Sequence, residues 1–276
     1  MNQTGEADIF VAARSALLDA LEALADQRAA LVLIGAQAIY LHTGGAPVAL
    51  AEATRDSDLA VDPRMLNDDP RLEEAMQRAG FHRNPNDPQP GSWVSPRGIP
   101  VDLMVPARLS GEGGRRGGRI PPHSPRATRR AAGLEAAVVD HAPMVINSLD
   151  PNDPRSTEIE VAGPAALLVA KLHKLGERQN TPGRLLDKDA HDVYRLLVAT
   201  DTVALASALA DLQGSVLAGS VTNEAIVYLE QLFAPGAHAL GAMMAGRAEE
   251  LIGNAPVVSA AVATLAADLL AGLPSQ

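Results

Sequence analysis

The chain has 276 residues, 47% of them apolar, so it can bury a real core in one large or two small domains. It has no cysteine, which excludes disulfides, zinc–thiolate sites and thiol catalysis and suits a reducing cytoplasm, the expected location. A net charge of −10 argues against a generally basic nucleic-acid binder but leaves room for a local basic patch.

Met1 to Asp8 is polar and lacks the basic-then-apolar layout of a signal peptide. The sequence has no run of 18 apolar residues, so no membrane span is expected. Ile9 to Ala25 carries Phe10, Ala13, Leu17, Leu21 and Leu24 at helical spacing, the pattern of an amphipathic helix laid over a sheet. Leu31 to Ile34 is a short apolar run ending in Gly35, which reads as a buried strand turning sharply into a helix over Ala36 to Thr43. The amides after Gly35 would lie at a helix N-terminus, where phosphate oxygens are well received. Gly44 and Gly45 break the pattern, and Asp56-Ser57-Asp58 opens a second strand that runs to Val61.

Residues two apart in a strand face the same side, so Asp56 and Asp58 point together, about 7 Å apart at the backbone. Two carboxylates this close each resist ionisation. A divalent cation removes the conflict, and Mg²⁺ usually takes one or two carboxylates plus substrate phosphates. A lone Asp-x-Asp is most often a surface turn. Its setting here, after a strand, a glycine turn and a helix, points to nucleotide chemistry.

Arg71 to Ala79 reads as a helix closed by Gly80, followed by a Pro/Asn/Asp loop over Asn84 to Gly91. Trp93-Val94 begins a short strand, and Gly98 to Val105 forms a third with Asp102 embedded in it. A carboxylate in an apolar strand is costly unless paired or metal-bound. It is read here as a third acid at the same metal site, the alternative being a solvated face or the cap of a bend. Arg108 to Gly133 holds Arg108, Arg115, Arg116, Arg119, Arg126, Arg129 and Arg130 among many Gly and Pro residues. It reads as a loop or mobile flap that buries no core, either gripping phosphate of a triphosphate or RNA or forming a solvated insertion. Leu134 to Leu149 is apolar and β-rich with a break at His141-Ala142-Pro143, and Thr157 to Ala162 is a further strand.

Gly163-Pro164 opens a helical half. Ala165 to Glu177 is a helix that aligns Lys171, Lys174 and Arg178 on one face. Leu186 to Ala199 carries Lys188, Asp189, His191 and Asp192, with Asp189 and Asp192 sharing a face. Two readings stay open: charged helices paired by salt bridges, or a cationic face for phosphates with the acids orienting the lysines. Beyond Asp201 come Ala/Leu-rich helices over roughly 202–212, 221–233, 237–252 and 256–271, in which Glu249 and Glu250 read as surface residues. The expected organisation is an α/β domain over 1–162, with its basic loop at 108–133, and a C-terminal helical bundle over 163–276.

The order and spacing of four elements resemble the nucleotidyltransferase superfamily, and within it the AbiEii/AbiGii toxin group that includes the mycobacterial MenT toxins. These elements are Gly35-Ala36-Gln37-Ala38, Thr54-Arg55-Asp56-Ser57-Asp58, Ala170-Lys171-Leu172 with Arg178, and Lys188-Asp189-Ala190-His191-Asp192. The resemblance covers roughly residues 30–200. It departs from the superfamily pattern at Ala36, where a second Gly or a Ser is usual, so a phosphate-binding hydroxyl is missing. It implies a mixed β-sheet with flanking helices and metal-dependent transfer of a nucleotide from a nucleoside triphosphate to an acceptor hydroxyl. The triphosphate and Mg²⁺ (or Mn²⁺) would bind between the sheet edge and the helical half. Asp56 and Asp58, with Asp102 as third acid, would hold the metal, and Gly35, Ala36, Arg55, Lys171 and Lys174 would contact the nucleotide. Asp189 would position Lys171 or help deprotonate the acceptor. The toxin group implies transfer to the 3′ end of tRNA, through Arg115, Arg116, Arg119, Arg126, Arg129 and Arg130, and a cognate antitoxin. Two other readings stand beside it: a small antibiotic-like hydroxyl as acceptor, and a non-catalytic nucleotide-binding or antitoxin-like module.

Overall fold

The computed structural model describes residues 3–46, 48, 56–112, 116–250 and 252–274. It falls into two compact units, one comprising Met1–Ala38 and Ala53–Ala162, the other Ile39–Glu52 and Gly163–Gln276. The segment from Ile39 to Glu52 groups with the helical unit.

The first unit is a mixed sheet under helices. Strands β1 (Leu31–Ile34), β2 (Ser57–Val61), β3 (His82–Arg83), β4 (Ser92–Val94), β5 (Pro100–Pro106), β6 (Arg129–Ala131), β7 (His141–Asn147) and β8 (Ser156–Ala162) follow one another in the chain. Their order across the sheet is β3-β4-β5-β2-β1-β8-β7, with β6 paired to β5. Strands β4 and β6 take successive stretches of β5: Ser92 pairs with Asp102, and Arg129 with Met104. β1 is buried throughout, as its apolar run requires. Along β5, Val101, Leu103 and Val105 are buried while Asp102 and Met104 are half-buried, the period-two alternation of a strand with one face in the core.

Helix α1 (Gln3–Ala23) buries Ala13, Leu17, Ala20, Leu21 and Ala16, a stripe at helical spacing. The middle residue of Asp56-Ser57-Asp58 faces this helix, with the Ser57 hydroxyl donating to the Ala13 carbonyl at 3.0 Å. Helix α2 (Gly35–Thr43) follows β1 directly, and α3 (Leu72–Arg78) ends before Gly80, whose φ of +82° closes it as expected.

Two expectations for this unit are corrected. The arginine-rich segment is not a structureless flap in its described part. Ile120, His123, Ala127 and Thr128 are buried, Arg129–Ala131 forms β6, and the Arg119 and Arg130 amides donate to the Ser110 and Arg116 carbonyls. Apolar residues set between the arginines, and β5's unpaired edge, give the segment something to fold onto. His141-Ala142-Pro143 is likewise no break: β7 begins there and pairs antiparallel with β8 from His141↔Ala162 onward. Pro143 is tolerated because β7 lies at the sheet edge.

The second unit contains α4 (Pro164–Gly176), α5 (Asp187–Ala199), α6 (Thr202–Gly214), α7 (Gly219–Leu232), α8 (Leu240–Ala248) and α9 (Ala255–Gly272). Pro164 stands at the start of α4, Asp201 caps α6 through the Ala204 amide at 2.9 Å, and Asn254 caps α9 through the Val257 amide. Arg195 on α5 explains why the segment after Ala38 belongs here. Its guanidinium donates to the Thr43 carbonyl and hydroxyl and to the Val48 carbonyl, and lies 5.2 Å from the Tyr40 ring. By length and composition α9 could cross a membrane, with mean hydropathy 1.6 over 18 residues, although Ser259, Thr264 and Asp268 interrupt its apolar run. It packs as a bundle helix, with Val258, Val262, Ala266 and Leu269 buried.

Candidate active site

The sheet places two of the predicted acids, Asp58 and Asp102, in register. Asp58 pairs with Asp102 across the parallel β2–β5 ladder, Asp102 pairs with Ser92 across β4–β5, and Ile34 pairs with Asp58 across β1–β2. Partners in register on neighbouring strands point to the same side, so Ser92, Asp102 and Asp58 share a face. This face is opposite the one on which Ser57 binds α1.

Ile34 leads directly into Gly35, which adopts φ +69°. A Cβ there would overlap Oδ2 of Asp58 and lie 3.0 Å from its Cβ and Cγ. The glycine is therefore required twice, for its backbone conformation and for the carboxylate packed on it. The first turn of α2 is anchored from below: buried Arg14 donates through Nε to Oε1 of Gln37 at 2.9 Å and through Nη1 to the Asn147 carbonyl at 3.0 Å. Burial lowers the Arg14 pKa from its ordinary value.

Asp102 is ion-paired with Arg129. Nη2 of Arg129 lies 2.6 Å from Oδ2 of Asp102 and 3.3 Å from Sδ of Met104. Burial pushes the Asp102 carboxyl above the ordinary carboxylate range, and neighbouring Asp56 adds to this; Arg129 and a hydrogen bond with Ser92 offset only part. Among the described residues, no group of three or more His, Asp or Glu side chains is arranged to hold a metal ion.

In the helical unit, Lys171, Lys174, Asp189 and Asp192 form one ion-pair network, the arrangement the salt-bridge reading expects. Nζ of Lys171 lies 2.8 Å from Oδ1 of Asp189 and 2.6 Å from Oδ2 of Asp192, and Nζ of Lys174 lies 2.8 Å from the same Asp189 oxygen. The two lysines differ in access: the Lys171 side chain is 9% exposed and that of Lys174 35%. Burial works against the charged Lys171, but the two carboxylates overcome it and raise its pKa well above the usual lysine value. Burial likewise opposes ionised Asp189, and Lys171 and Lys174 together hold its carboxyl far below the usual range.

The sequence reading missed a second buried contact in this unit. Glu249 is buried, not a surface residue, and its Oε1 lies 2.7 Å from Nε2 of His191. His191 lies on the buried side of α5, one turn ahead of Arg195, and that helical spacing was its only sequence signal.

Of the arginines assigned to nucleic acid, Arg116, Arg119, Arg126 and Arg130 are exposed, as is Arg108. Arg129 instead faces Asp102. Arg55 and Arg115 lie outside the described residues.

A family model described as nucleotidyltransferase matches residues 12–214, well over half of the chain. The chain belongs to the nucleotidyltransferase family. The match includes β1, the Gly35 turn, the acid row and both helices of the lysine–aspartate network. No match was found among curated proteins or among solved structures. This nucleotidyltransferase is therefore a transferase enzyme, with a mixed sheet flanked by helices and a nucleoside triphosphate as the substrate its family uses.

Proposed function

We propose that the nucleotidyltransferase transfers a nucleoside monophosphate, in a divalent-metal-dependent reaction, to the 3′ hydroxyl of a tRNA, and that it acts as a toxin of the AbiEii/AbiGii type with a cognate antitoxin. The observation that carries the metal dependence is the acid cluster. Asp58 and Asp102 stand in register, and Asp56 is close enough to raise the Asp102 pKa. Carboxylates crowded in this way favour a hard cation, and Asp56 and Asp58 supply the one or two ligands that Mg²⁺ takes when phosphates complete its shell. When bound, the cation neutralises charge on the transferring phosphoryl group.

The chain's own residues have separate tasks in this reading. Gly35 lets the backbone approach the Asp58 carboxylate at the start of α2, and the Arg14–Gln37 hydrogen bond fixes that first turn. The backbone amides there suit phosphate oxygens without the hydroxyl that Ala36 lacks. In the helical unit, Lys174 is the ammonium with solvent access for contacting an anion. Lys171, held between Asp189 and Asp192, orients Asp189. The exposed arginines from Arg108 to Arg130 suit an RNA backbone within an otherwise acidic chain. The toxin assignment is supported by the motif resemblance described above.

The experiment is incubation of the protein with Mg²⁺, each α-labelled NTP in turn and total bacterial tRNA, beside an Asp56→Ala/Asp58→Ala variant. Label is expected on tRNA with the unaltered protein alone. Equal labelling by a folded double variant rules out the metal assignment. Pyrophosphate release with small hydroxylated compounds but not with tRNA moves the acceptor to a small molecule.

A further inference from the structure

Arg64, Arg129, Arg155 and Arg247 each lie within 2.7 Å of a carboxylate oxygen. Arg83 and Arg126 differ: among the described residues neither forms an ion pair with an acid, yet the Arg83 guanidinium donates to the Arg126 carbonyl. We infer that Arg83 and Arg126 together bind a backbone phosphate of an RNA acceptor, on the sheet face opposite the one that carries Asp58 and Asp102. This inference rests on the RNA-acceptor reading above and adds to it a residue, Arg83, from outside the arginine-rich segment.

Both arginines are positioned before a ligand arrives. Arg83 on β3 pairs with Trp93 on β4, and its guanidinium lies 4.2 Å from the ring of that fully buried tryptophan. The backbone around Arg126 is fixed on both sides. The Ser124 amide donates to the Glu73 carboxylate at 3.0 Å, the Gly91 amide to the Arg126 carbonyl at 3.0 Å, and Nε1 of Trp93 to the Ala127 carbonyl at 3.1 Å. Buried His123 accepts the Leu72 amide through Nδ1 at 3.1 Å, which ties the same turn to α3. Trp93 takes one face of the Arg83 guanidinium and the Arg126 carbonyl accepts from its Nη1; a guanidinium has five N–H donors, so others remain for an anion. Burial lowers the Arg83 pKa, repulsion from Arg126 adds to this, and Glu73 offsets part. A phosphate shared by the two guanidiniums removes that repulsion, and their planar forks match its oxygens. The strand register decides which phosphate. Ser92 pairs with Asp102, so the adjacent Trp93 and its partner Arg83 point to the other face of the sheet. A triphosphate held beside Asp58 does not reach them. β3 is the outermost strand, and β5 with Asp102 lies two strands in, about 10 Å at ordinary strand spacing. An RNA strand passing round this edge engages both faces at once, which a small hydroxylated acceptor cannot do. Such a phosphate contact holds the acceptor in place without reading its sequence.

The test is binding of fluorescently labelled tRNA to the full chain without NTP, followed by anisotropy across a chloride series. The proteins are the unaltered chain, Arg83→Gln, Arg126→Gln and the double variant, each checked by thermal melt. The double variant is expected to bind about tenfold more weakly, with a logarithmic salt slope smaller by about one unit. Inorganic phosphate at constant ionic strength should compete with tRNA more strongly on the unaltered protein than on the double variant. Equal tRNA affinity and slope in a folded double variant overturn the inference. Phosphate binding that is lost in the double variant, read by phosphorus NMR, while tRNA binding is unchanged assigns the pair to a free anion and also overturns it. If Arg83→Gln lowers the melt, Arg126→Gln decides, because the contacts that fix Arg126 use its backbone; weakening of less than about twofold then overturns the inference. Absence of tRNA binding to the unaltered protein instead overturns the RNA-acceptor reading, and this inference with it.

Discussion

A Cβ at position 35 would overlap the carboxylate of Asp58, and the backbone there has φ +69°. Gly35→Ala therefore strains the turn and displaces a proposed metal ligand at once. The expected stability loss is about 1–3 kcal/mol, read from urea unfolding. Transfer activity should fall by about a hundredfold, because a ligand moved by an ångström loses the reactive geometry. Near-normal turnover at saturating Mg²⁺ and NTP in Gly35→Ala would show that Asp58 does not need its present position.

The ion pairs of Lys171 and Lys174 separate their roles. Lys171→Met leaves Asp189 with one cation and Asp192 without its Lys171 partner in a buried site, which should cost about 3–5 kcal/mol of stability. Lys174→Met removes a more exposed ammonium, so its melting temperature should stay within a few degrees of the unaltered protein while KM for NTP rises. Thermal melts with steady-state kinetics on both variants check this. A stable Lys171→Met with a raised KM, beside a kinetically silent Lys174→Met, reverses the assignment.

The same network sets a pH dependence. Asp189 has a folded-state pKa lowered by Lys171 and Lys174 against the opposing effect of burial. Such a group contributes stability that is present above the unfolded carboxylate pKa, about 3.9, and is lost as pH falls through the lower folded value. Lys171 has a raised pKa, so its contribution is present below the ordinary lysine value and is lost only at still higher pH. Urea melts from pH 2 to 7 should therefore show the stability gap between the unaltered protein and Asp189→Asn constant near neutrality and shrinking below about pH 4. A gap that widens on acidification contradicts the network.

Much of the site could be read locally, because its signals are local. The run Leu31–Ile34 with Gly35 announces a strand and a turn, Asp56 and Asp58 announce shared orientation, and Asp102 stands out in an apolar strand. What could not be read is pairing between distant segments. Nothing near Asp102 indicates that β6 will bring Arg129 to it, since the two residues are 27 apart and the contact depends on parallel pairing of β5 with β6. Glu249 was misread for the same reason: its partner His191 is 58 residues away, and a glutamate at the end of an Ala-rich helix ordinarily faces water. The arginine-rich segment was misjudged because composition averages over it, while its fold depends on a few inward residues such as Ile120 and Thr128.

Those inward residues leave Arg116, Arg119, Arg126 and Arg130 exposed on an ordered scaffold, which makes their contribution to RNA binding separable from folding. Arg126 also lies near Arg83, whose guanidinium stacks 4.2 Å from the Trp93 ring and donates to the Arg126 carbonyl. Burial lowers the Arg83 pKa, and repulsion from Arg126 adds to it, so a phosphate near the two would relieve unfavourable charge. Replacing Arg116, Arg119, Arg126 and Arg130 together by alanine should leave the melting temperature nearly unchanged. It should weaken tRNA binding and flatten its logarithmic salt dependence by about one unit for each phosphate contact removed. Mn²⁺ binding should not change, because Arg129 and the acids are untouched. Filter binding across a salt series checks the prediction, and an unaltered slope would remove this face from the acceptor surface.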